Sequence, residues 1–134
     1  MNELKATVLI DNIASEGLLN EWGLSFFIEY RGKKYLLDTG ASGKFADNAA
    51  SLGINLSEAD FGILSHAHYD HSDGMARFFE ENKKAKFYIR EGAAEDCYGS
   101  KFIFFKYICV FCNNIVNFFN FSRFFFKHVI WKKM

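Results

Sequence analysis

A short apolar run, Phe61-Gly62-Ile63-Leu64-Ser65, leads directly into His66-Ala67-His68-Tyr69-Asp70-His71 and then Ser72-Asp73-Gly74. This junction constrains the fold more than any other stretch. The run has the length and character of a buried strand. Three of the chain's four histidines follow within six residues, with a carboxylate between the second and third. Imidazole and carboxylate are the N and O donors that zinc and related divalent metals prefer. A lone histidine is ordinarily a packed or solvated side chain, but three with an interleaved aspartate read as a ligand set. A strand that delivers such a set at its end belongs to an α/β architecture, where sites form at the carboxyl ends of strands.

The rest of the first hundred residues agrees. Ala6-Thr7-Val8-Leu9-Ile10 reads as a buried strand ended by Asp11-Asn12. Ser25–Tyr30 and Tyr35–Asp38 flank Arg31-Gly32-Lys33-Lys34, which predicts a hairpin with a short glycine-containing turn. Thr39-Gly40-Ala41-Ser42-Gly43 supplies a flexible loop, and Phe45, Ala49 and Leu52 recur at helical spacing up to a stop at Gly53. Ser57–Asp60 is a turn or short helical piece. Met75, Phe78 and Phe79 share one face of a helix opening at Ser72-Asp73-Gly74, and Lys86–Arg90 alternates like a half-exposed strand.

Within the cluster, His66 and His68 alternate, so in an extended loop both rings point the same way and can grip one ion. Asp70 and His71 are adjacent and project differently, which suits a neighbouring ion. Two ions about 3.5–4 Å apart can bridge a water and lower its pKa toward neutrality, giving a hydroxide nucleophile without serine or cysteine. The imidazoles must be neutral and fixed by hydrogen-bond acceptors behind them.

The H-x-H-x-D-H pattern after a short apolar strand resembles the metallo-β-lactamase-fold hydrolases. Leu36-Leu37-Asp38-Thr39-Gly40 is similar to that family's first motif, and Leu64-Ser65-His66 with Ser72-Asp73-Gly74 resembles the flanks of its second. Asp11-Asn12, Gly17-Leu18-Leu19 and Glu21-Trp22-Gly23-Leu24-Ser25 resemble a narrower branch, relatives of a dihydropterin-aminobenzene-phosphate synthase. The resemblance covers residues 4–99. It implies an αββα sandwich of two mixed sheets with flanking helices, of which this chain holds the N-terminal half. It implies that His66 and His68 bind a first zinc and that Asp70 and His71 bind a second. Asp70 would also be a catalytic proton donor to the leaving group, with Asp38 behind the ligands. Iron or manganese would suit the same donors. The implied activity is hydrolysis of an ester or phosphoester by metal-bound hydroxide, on a small-molecule substrate the sequence does not identify.

Two departures qualify that expectation. The family is roughly twice as long as this chain, and its second half supplies another histidine, a bridging aspartate and a last histidine. Here His128 is the only other histidine, in a setting without glycine, and no acid follows Asp96. The composition also breaks near residue 100. All 16 acids and all ten glycines precede Lys101, whereas ten of 17 Phe follow it. Residues 1–99 thus read as a truncated domain, and residues 100–134 as an aromatic, acid-free tail of frameshift-like composition. The chain itself is expected to be an inactive half-domain that binds metal weakly. The alternative for the tail, a membrane segment through 102–126, is interrupted by Lys106, four Asn and Arg123. An unburied sheet face would favour self-association. The acidic first part and scattered basic residues of the second exclude a nucleic-acid binder. Three cysteines, Cys97, Cys109 and Cys112, make no disulfide framework, and no basic-then-apolar leader opens the chain, so the expected compartment is the cytoplasm.

Overall fold

The computed structural model describes residues 3–90 and three further strand segments, 98–100, 106–108 and 129–132. Its main sheet has six strands: β1 (Leu4–Ile10), β2 (Ser25–Tyr30), β3 (Lys33–Leu37), β4 (Phe61–Leu64), β5 (Lys86–Arg90) and β8 (Val129–Lys132), in that spatial order. The first three strands pair antiparallel, whereas β3, β4, β5 and β8 run parallel. The sheet is therefore mixed, and with its helices the fold is α/β, the N-terminal part of the αββα sandwich. Two short strands, β6 (Tyr98–Ser100) and β7 (Lys106–Ile108), form a separate antiparallel pair.

The hairpin forms where its turn chemistry predicts. Arg31 and Gly32 both have positive φ, and Phe27 faces Leu36 across the ladder. The register that joins Phe27, Leu36, Gly62 and Phe87 puts them on one face, and the three side chains there are at most 2% exposed. Helix α1 (Lys44–Ser51) adds Phe45, Ala46 and Ala49 to this core, and α3 (Met75–Glu81) adds Met75, Phe78 and Phe79. The rings of Phe78, Phe79 and Phe87 meet edge to face at 5.5–5.8 Å, an arrangement aromatic quadrupoles favour. The other face carries Phe26, Ile28, Tyr35, Phe61, Ile63 and Tyr88, all half-buried.

Two expectations need correction. The first strand is not buried throughout: it pairs only with β2, and Val8 is 43% exposed while Leu9 and Ile10 are buried. Leu52 lies beyond the last turn of α1 and is exposed. Its place on the buried face is taken by Asn48, whose amide is satisfied by backbone groups. β5 alternates as expected: Phe87 and Ile89 are buried, whereas Lys86 is exposed and Tyr88 half-buried. Cys97, Cys109, Cys112 and His128, and the 102–126 segment apart from β7, lie outside the described residues, as does most of the proposed tail. Among the described residues, no helix is long and apolar enough to cross a membrane.

Candidate metal centre

The site forms where β3 and β4 end side by side. Leu37 pairs with Ile63, and Asp38 and Ser65, the first residues past the ends of β3 and β4, emerge as neighbours. Asp38 is 1% exposed and has φ 56°, a left-handed conformation rare for a residue with a side chain. Its carboxylate accepts hydrogen bonds from the Ser65 amide (2.7 Å) and the Ser65 hydroxyl (2.6 Å), and it contacts His71 Nδ1 at 2.8 Å. Ser25 donates from Oγ to the Asp38 carbonyl, which fixes the backbone behind it.

After His68 the chain does not stay extended. Tyr69–Ser72 make one helical turn, α2, closed by Ser72 Oγ donating to the His68 carbonyl. The turn swings His71 back over His66, bringing their rings to 4.1 Å. It also brings the His71 carbonyl to the Thr39 amide (2.8 Å) and hydroxyl (3.1 Å). The next helix, α3, starts against the same loop. A Cβ on Gly74 would overlap the Thr39 carbonyl oxygen and lie 2.6 Å from that of Ser42. Only a glycine lets α3 approach so closely.

The imidazoles converge with their tautomers assigned by their partners. Ser65 Oγ gives its proton to Asp38, so it accepts from His66 Nδ1 at 2.9 Å, and His66 Nε2 is left as the basic atom. That nitrogen lies 3.1 Å from His68 Nδ1. Two nitrogens on one tetrahedral zinc, at bonds of about 2.0–2.1 Å, are separated by about 3.4 Å. His71 is tied to Asp38 through Nδ1, which leaves Nε2 facing inward, 3.7 Å from Asp70 Oδ2. Burial first, then the neighbouring His71 and His68, hold the His66 imidazole below its ordinary pKa. That keeps it neutral, as a ligand must be.

The donor types are those that divalent metals take: two facing nitrogens, a third imidazole and a carboxylate beside them, and an acceptor behind His71. Among the described residues, however, no three His, Cys, Asp or Glu side chains already form a group that could hold an ion. The structure thus groups His66, His68, Asp70, His71 and Asp38 in one place, with only His66 and His68 at the spacing of co-ligands.

Sequence reasoning missed several residues that build the site. Glu21 accepts from the Ala41 and Ser42 amides and the Ser42 hydroxyl. Asn48 ties helix α1 to Leu9 and Leu19. Asp73 is pushed up to about 6, chiefly by burial and then by Asp70. Of these, Asn48 is a polar residue at a core-facing helical position, and Glu21 and Asp73 fall within the segments that carry the family resemblance.

A mixed sheet that presents a histidine cluster at adjoining strand ends defines a class, and comparison with known proteins agrees. The profile of the Metallo-beta-lactamase superfamily matches residues 23–129, and the chain belongs to that superfamily. Its fold is similar to that of Tm1679, described as a metal-dependent hydrolase of the beta-lactamase superfamily (TM-score 0.61, 22% identity, 98% of this chain and 42% of that one). In sequence it is similar to the uncharacterized protein MJ0448 of Methanocaldococcus jannaschii, with 32% identity over 75 residues, 56% of this chain and 29% of that protein. The chain spans less than half the length of either.

Proposed function

We propose that this chain carries the first half of a zinc-dependent hydrolase centre for ester or phosphoester substrates. The observation that carries the proposal is the facing pair His66 Nε2 and His68 Nδ1 at 3.1 Å, with His71 held by Asp38 beside it. His66 and His68 would hold one ion, and Asp70 and His71 would reach a second; iron or manganese suits the same donors. A bound zinc supplies Lewis acidity and brings the pKa of a water near neutrality.

The chain's own residues do the rest. Asp38 accepts the His71 Nδ1 proton and so keeps Nε2 basic and aimed inward. Ser65 does the same for His66, taking its Nδ1 proton while giving its own to Asp38. Asp70, beside His71 Nε2, would take up the proton that the attacking water releases and pass it to the leaving alcohol.

With two ligands where a closed tetrahedral site uses four, the chain alone is expected to bind zinc weakly and to turn over no substrate. The test is calorimetric titration of chelator-stripped protein with zinc, alongside assays on aryl esters and phosphodiesters. About one zinc per chain, lost in His66→Ala and in His68→Ala, supports the proposal. Absence of binding, or binding indifferent to both substitutions, refutes it.

A further inference from the structure

We propose that Glu21 is a positioning residue for the metal centre, acting through the Asp38-Thr39-Gly40 loop on His71. The inference rests on the metal-site function above but is argued from separate contacts. Glu21 lies in the long connection between β1 and β2, well away from the histidines in sequence. Its carboxylate nevertheless takes three hydrogen bonds from the loop after β3: Ala41 N at 2.9 Å, Ser42 N at 3.0 Å and Ser42 Oγ at 2.6 Å. One oxygen gathers both amides and the other takes the hydroxyl. Gly40 has no side chain where Glu21 sits: a Cβ there would lie 2.7 Å from Oε1.

The same connection grips the histidine loop directly. Leu24 N donates to the Asp70 carbonyl at 3.2 Å, and the Leu24 carbonyl accepts from Gly40 N at 3.0 Å. Between the two anchors, Gly23 crosses so near that a Cβ would overlap the Asp70 carbonyl oxygen. The connection is itself fixed from behind by Asn48, which bonds both the amide and the carbonyl of Leu19, and by Asn12 Oδ1, which accepts from Gly23 N.

The result is a continuous chain of contacts. Glu21 sets residues 41 and 42, and Thr39 N and Oγ1 hold the His71 carbonyl. Asp38, one residue earlier and in a left-handed conformation, holds the His71 ring. A strained residue keeps its geometry only when its surroundings over-determine it. Glu21 and Ser25 do that from the two sides of the loop. Without Glu21 the loop loses its acceptor, Asp38 is free to relax, and His71 loses a fixed tautomer and direction.

The test uses the full chain and three variants. In metal-free protein, the His71 imidazole Nδ1 proton is followed by ¹H–¹⁵N NMR, with amide exchange of β2 and β3 as the control for folding. Zinc affinity is measured separately. Glu21→Ala is expected to lose the His71 Nδ1 proton to exchange with water and to weaken zinc binding about tenfold or more, with the β2–β3 amides still protected. Glu21→Gln, which keeps an acceptor for both amides, is expected to restore both signals. Ser42→Ala removes one donor, and it keeps the test open should Glu21→Ala fail to fold. It is expected to move both readouts the same way by a smaller factor.

An unchanged His71 resonance in Glu21→Ala and Ser42→Ala overturns the proposal. So does loss of β2–β3 protection together with the His71 signal, since Glu21 would then merely hold the fold. Failure of the unmodified chain to take up zinc would refute the metal function, while the metal-free His71 resonance would still decide the role of Glu21.

Discussion

Asp38 holds a backbone angle that costs of order 1–3 kcal/mol for a residue other than glycine and gives its carboxylate to three partners at once. Asparagine tolerates the left-handed region but offers one acceptor oxygen where the carboxylate has two. Asp38→Asn therefore keeps the turn and cannot serve Ser65 and His71 together. Zinc affinity, measured by competition with a chromophoric chelator, is expected to fall about 10–100-fold, with the metal-free melting curve moved less than in Asp38→Ala.

Asp73 allows a pH test at the same scale. Its carboxyl binds a proton more tightly in the folded chain, at about 6 against an ordinary 3.8. The folded state then loses stability as pH rises between those values, because ionisation is disfavoured where the group is buried. Asp73→Asn should accordingly be more stable than the unmodified chain at pH 7.5. The advantage should vanish by about pH 4, below which both forms are neutral. Urea melts of chelator-treated protein would show it. An advantage that is the same at both pH values would contradict it.

At the scale of elements, the site depends on α3 starting hard against the loop that follows β3. Gly74→Ala places a methyl group into the carbonyl oxygens of Thr39 and Ser42, neither of which can swing aside as a side chain could. A loss of about 1–3 kcal/mol in unfolding free energy is expected, together with weaker zinc binding as the loop shifts. What was legible in the sequence at this scale is local. The β2–β3 turn, the end of α1 at Gly53 and the strand that delivers His66 were each set by neighbouring residues. His66 to His68 stay extended, but nothing in the sequence announced the helical turn at Tyr69–Ser72, which Ser72 closes on the His68 carbonyl. The supports of the site were illegible because they are long-range. Glu21 meets its partners 20 and 21 residues away, Asp38 meets His71 33 away, and Asn48 meets Leu9 39 away. The exposure of β1 was illegible for the same reason, since whether a strand has one neighbour or two is decided by pairing across the sheet.

At the scale of the molecule, one side of the sheet is closed by α1 and α3 over a single core, and the candidate centre sits at the ends of β3 and β4. The chain belongs to the Metallo-beta-lactamase superfamily, and a metal held at the proposed centre is expected to add to its stability. Zinc at a hundredfold excess over its dissociation constant is expected to add about 2.7 kcal/mol. The rise in melting temperature should be reversed by chelator and lost in acid, where protons compete with zinc for the imidazole nitrogens. The most direct test of the central claim is X-ray absorption at the zinc edge of the loaded chain. Only nitrogen and oxygen neighbours are expected, at about 2.0–2.1 Å, with imidazole scattering that diminishes in His66→Ala. Sulfur neighbours at about 2.3 Å, which would put the metal on the cysteines, or a spectrum unchanged by His66→Ala, would contradict it.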